Sequence, residues 1–74
     1  MRRVQLHATA RLGPSPRAVR LLLDAVLSGE RVCVETPSRE IADRVADMLT
    51  RSGFGLDLVR GGSRLEIGPA SVLH

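Results

Sequence analysis

Few side chains in this chain could carry a reaction. Cys33 is the single thiol, and His7 and His74 are the two imidazoles. The stretch "RLGPSPRAV", Arg11 to Val19, sets a serine between two prolines just before an apolar run. That pattern reads as the start of a helix. A helix start presents free backbone N–H groups and the positive end of the peptide dipole, so it stabilises an anion or a thiolate. No thiol stands there. The mouth consists of Gly13, Pro14, Ser15 and Pro16, with Arg11, Arg17 and Arg20 around it. Ser15 has no matching base and reads as a helix cap rather than a nucleophile. Cys33 falls in a strand pattern and reads as a small filler. His7 would come near it if the first two strands pair. One cysteine and one histidine are too few ligands for a metal site, so neither a metal nor a cofactor is expected. His74 falls in the tail and reads as solvated.

The elements that must position these residues follow from hydrophobic spacing. "VQLHA" alternates, with Val4, Leu6 and Ala8 on one face and Gln5 and His7 on the other, which predicts a half-buried strand. Ser15 as cap and Pro16 at the first helical position then open a helix. Its apolar stripe is Val19, Leu22, Leu23, Val26 and Leu27, and Gly29 stops it. "RVCVE" is a second alternating strand, with Val32 and Val34 inward. "TPSRE" predicts a second helix start, with Thr36 as cap and Pro37 first inside. Ile41, Val45, Met48 and Leu49 make its stripe, and Gly53 ends it. Glu40 with Arg44 and Asp47 with Arg51 are i,i+4 pairs on the wet side, each worth about 0.3 kcal/mol. "FGLDLV" and "RLEIG" are two short strands, joined by a hairpin signalled by Gly61-Gly62.

The order is therefore βαβαββ. Strands with one apolar face and helices with one apolar stripe are satisfied by two layers. The expected fold is an α+β two-layer sandwich, a four-stranded mixed sheet with both helices on one face. Gln5, His7, Arg31, Cys33, Glu35, Asp57, Arg64 and Glu66 would lie on the open face. Residues 1–74 form a single domain, with 68–74 as a loose tail.

Charge adds an asymmetry. All eleven basic residues are arginine, and five of them precede the first acid, Asp24. The remaining six arginines face eight acids, so the first part carries +5 and the rest −2, giving the net +3. The basic end suits an anionic or acidic partner. No apolar run is long enough to cross a membrane, and no apolar segment follows the opening arginines as in a signal peptide. With one cysteine, which cannot close an internal disulfide, the expected location is cytoplasmic and no membrane partner is expected.

The run "LGPSPRAVRLLLDAVLSGERVCV" resembles the corresponding segment of the TusA/SirA-like sulfur-carrier family. Pro14 and Pro16 match the prolines of that family's C-P-x-P motif, and Gly29-Glu30 match its glycine-glutamate pair. Thr36-Pro37 stand at its second helix start, and Gly53 at the glycine before its third strand. The resemblance runs from Leu6 to Ile67. It implies a scaffold that passes a persulfide between proteins on the motif cysteine. Here Gly13 takes that cysteine's place, and the implied catalytic residue is absent. The expectation is a non-catalytic protein-binding or adaptor module, meeting another protein through the N-terminus of the first helix. Gly13, Pro14, Ser15, Pro16, Arg11, Arg17 and Arg20 would form that surface. Two alternatives stand beside it. One is a nucleic-acid-binding module, since the strand order is shared with the C-terminal domain of translation initiation factor three. The near absence of aromatic residues disfavours it, because Phe54 alone builds no stacking platform. The other is a sulfur carrier using Cys33. An oligomer joined through the open sheet face is a further option.

Overall fold

The computed structural model describes residues 2–7 and 13–69. The elements are β1 (Arg2–Gln5), α1 (Pro16–Leu27), β2 (Val32–Glu35), α2 (Arg39–Arg51), β3 (Asp57–Gly61) and β4 (Arg64–Gly68). The chain is thus βαβαββ. It forms one four-stranded sheet in the order β1-β2-β4-β3. β1 and β2 are parallel, and β4 is antiparallel to both β2 and β3. The fold is an α+β two-layer sandwich with a mixed sheet, as the hydrophobic pattern requires.

Period decides which residues enter the core. Val32 and Val34 of β2 and Leu65 and Ile67 of β4 are paired in register on the helix side and are fully buried. They meet Val19, Leu22 and Val26 of α1 and Ile41, Val45, Ala46 and Leu49 of α2. α1 lies over β2, and α2 lies over β4. Leu27, expected in the α1 stripe, is 51% exposed instead, because the helix ends at that residue.

Several boundaries differ from the sequence reading. The first strand runs Arg2–Gln5 rather than from Val4, and Ala8 lies outside the described residues. α2 is capped by Ser38, whose hydroxyl accepts the Ile41 N–H at 3.3 Å, not by Thr36. Pro37 therefore precedes the cap. Thr36 serves the hairpin: its N–H donates to the Ser63 carbonyl at 3.0 Å, and its hydroxyl lies 2.7 Å from the same oxygen. β3 begins at Asp57, three residues later than Phe54. The two-residue hairpin loop is Gly62-Ser63, between the paired Gly61 and Arg64. Gly62 has φ +63° and Ser63 does not enter the positive region, the pattern of a type II′ turn. Gly68 belongs to β4, and residues 70–74 of the expected tail lie outside the described residues.

The parallel arrangement has one consequence for function. α1 follows β1 and α2 follows β2, so both helices begin at the same end of the sheet. The Gly62-Ser63 turn sits at that end too, tied to Thr36.

Candidate functional site

The mouth of α1 is built by local chemistry. Ser15 is extended (φ −67°, ψ 131°), and its carbonyl accepts the Val19 N–H at 3.1 Å. Pro16 occupies the first helical position, where its missing N–H removes an orphan donor. The Ser15 hydroxyl makes no capping bond, and no acid stands in the first turn. Ser15 is thus the cap by position, but its side chain does not satisfy the helix amides as expected. Pro14 is buried and Ser15, Pro16, Arg17 and Arg20 are exposed, so a rigid buried hinge presents a polar rim.

Gly13 holds a conformation that explains its identity. Its φ is +71°, a region that a side chain with a Cβ enters only at a cost. A Cβ built there would stand 3.1 Å from Nη1 of Arg44. Arg44 comes from α2 and donates through Nη2 to Glu40 Oε1 at 3.2 Å. Position 13 is therefore a left-handed glycine with a guanidinium beside it.

Arg44 is the site residue that sequence reading missed. Its i,i+4 spacing from Glu40 marks it only as half of a surface pair, and nothing local links it to Gly13. Arg17 and Arg20, like Arg3 and Arg39, make no ion pair among the described residues, whereas Arg2, Arg31, Arg44, Arg51, Arg60 and Arg64 all do. Arg11, expected on the same rim, lies outside the described residues.

Cys33 sits away from this end. It is half-buried in mid-strand on the open sheet face, in one row with Arg3 of β1 and Glu66 of β4. The expected neighbourhood of His7 and Cys33 does not form. The register places Arg3 beside Cys33 and Gln5 beside Glu35, so His7 lies four residues further along, about 13 Å away. It lines a shallow polar basin of about 350 Å³ with Gln5, Glu35, Thr36, Ser63 and Arg64. Among the described residues no three His, Cys, Asp or Glu side chains are gathered where they could hold a metal ion.

The open face itself is a charged surface of matched pairs. Arg64 Nε lies 3.8 Å from Glu35 Oε1, beside it in register. Arg31 crosses over Gly68 to reach Asp57 Oδ2 at 3.1 Å. A Cβ on Gly68 would collide with the Arg31 guanidinium, so the glycine is what lets that arginine lie flat. Arg60 points to the helix side and reaches Asp43 of α2 at 3.4 Å.

Comparison of the chain with protein-family models, with characterised proteins and with solved structures finds no match. Among the described residues no helix is long and apolar enough to cross a membrane.

Proposed function

We propose that the chain is a protein-docking module on a scaffold like that of the TusA/SirA-like sulfur carriers, one that binds a partner without carrying sulfur. The observation behind this reading is Gly13. It combines a φ of +71° with a guanidinium 3.1 Å from where a Cβ would stand, at the position where the resemblance calls for the reactive cysteine. What supports docking is the rest of the mouth. The buried Pro14 and the N1 Pro16 hold the loop, the first-turn amides carry no side-chain cap, and Arg17 and Arg20 make no ion pair among the described residues. Such a surface suits an acidic segment of another protein, whose carboxylates would meet the arginines and the helix dipole.

Sulfur carriage on Cys33 is the reading this one displaces. That thiol lies in mid-strand, flanked in register by one cation and one anion, Arg3 and Glu66. Nucleic-acid binding is disfavoured by the open face, where Glu35, Asp57 and Glu66 interrupt any phosphate track.

The docking surface is tested by titrating the protein with a labelled poly-glutamate peptide at low and high salt. Binding that weakens with salt and falls at least tenfold in the Arg17→Ala/Arg20→Ala double variant is the expected result. Equal binding by both proteins would overturn the assignment of the surface.

A further inference from the structure

β1 is an edge strand, with β2 on one side and no described strand on the other. The N–H groups of Arg2 and Leu6 donate to the Arg31 and Glu35 carbonyls at 3.0 and 2.8 Å. In a parallel ladder the alternate residues, Arg3 and Gln5, then turn their N–H and C=O groups outward. Beside this edge, on the helix side, runs a groove of about 480 Å³. Arg2, Val4 and Leu6 line it from the β1 side, and Ala18, Leu21 and Ala25 from α1. The groove exists because α1 lies over β2 and leaves the helix side of β1 half covered. Leu21, at 63%, is the most exposed of the large hydrophobics among the described residues. Arg17 and Asp24 stand on either side of it, seven residues apart and so on one face of the helix. Neither makes an ion pair among the described residues; of the other acids only Glu66 shares this, while Glu30, Glu35, Glu40, Asp43, Asp47 and Asp57 are all paired.

We propose that this strip is a two-fold interface between two copies of the chain, with β1 pairing antiparallel to β1 and α1 facing α1. The strip is complementary to itself. Antiparallel pairing sets the outward groups of Arg3 against those of Gln5 in the second copy, and Val4 against Val4. No arginine faces an arginine across the ladder. The same two-fold makes the α1 helices antiparallel, which brings Arg17 of each copy toward Asp24 of the other. With strands 4.8 Å apart, helices seated over β2 would lie about 14 Å from each other. The paired Leu21 side chains enter that gap, and the two Arg17–Asp24 pairs stand at its outer rim. The strip offers one charge of each sign, Arg17 and Asp24. A second copy satisfies both.

This inference goes beyond the docking reading and stands without it. Arg17 belongs to both surfaces and Arg20 neighbours Asp24 by one turn, whereas Leu21 lies outside the mouth. Sedimentation equilibrium on the full chain tests it, with Leu21→Glu, Arg17→Asp, Asp24→Arg and the Arg17→Asp/Asp24→Arg swap. The wild type is expected to dimerise and Leu21→Glu to be monomeric. Its exposed position leaves the fold intact, which circular dichroism checks. Each single charge reversal should weaken the dimer roughly tenfold, since it turns two attractive rim pairs repulsive. The swap should restore it. A wild type that stays monomeric at about 1 mM, or a dimer indifferent to Leu21→Glu and to both charge reversals, would overturn the proposal. A dimer dissociated by Val59→Glu alone would also overturn it and put the interface on the open sheet face.

Discussion

Replacing Gly13 by alanine tests whether the motif position is committed to glycine. The residue sits at φ +71°, where an L side chain costs about 1–2 kcal/mol. Removing a glycine also stiffens the unfolded chain, which returns about 0.4–1 kcal/mol. The net destabilisation is then about 1 kcal/mol. In a domain of this size that lowers the melting temperature by about 4–8 °C. The steric part is smaller, because the 3.1 Å neighbour is the far end of the Arg44 side chain and can move. Arg44→Ala should therefore not rescue the variant by more than a few tenths of a kcal/mol. Thermal unfolding followed by circular dichroism, for each single variant and the double, gives all the values. A melting temperature for Gly13→Ala equal to or above that of the wild type would refute the reasoning. It would mean that the position accepts a side chain freely, so that glycine there carries no weight for the docking proposal.

The helix caps and the core supply two further expectations. Ser38→Ala should cost about 1 kcal/mol, because its hydroxyl holds the Ile41 N–H, while Ser15→Ala should cost nearly nothing, because its hydroxyl caps no amide; urea midpoints distinguish them. Leu49→Ala should cost about 2–5 kcal/mol, since Leu49 is 1% exposed between α2 and the sheet. A chain of this length holds only about 4–11 kcal/mol in total, so the variant should melt far below the wild type.

The elements were legible in the sequence because each repeats one simple period. Val32-Val34 and Leu65-Ile67 alternate, and the α1 and α2 stripes return every three or four residues. Those patterns dictate which faces are buried, and two layers follow. The ends of elements were less legible. Thr36-Pro37 and Ser38 both carry cap chemistry, and what chose Ser38 was a tertiary demand, the bond from Thr36 to Ser63. Gly61-Gly62 likewise offers two registers for the turn, and pairing across β3 and β4 selects one. At the site, the prolines and the serine of the mouth were plain, because helix starts are coded locally. The approach of Arg44 to Gly13 was not, since it joins residues far apart through the packing of α2. The groove beside β1 was hidden for a similar reason: Leu21 gives no sign in sequence that α1 seats over β2 and leaves an edge uncovered.

The central claim, docking without sulfur carriage, is met most directly by one mass measurement. The purified protein is incubated with a cysteine desulfurase and cysteine, and its intact mass is read without reductant. The account predicts an unmodified chain. The added mass of a sulfur atom, mapped to Cys33 and lost in Cys33→Ser, would contradict it.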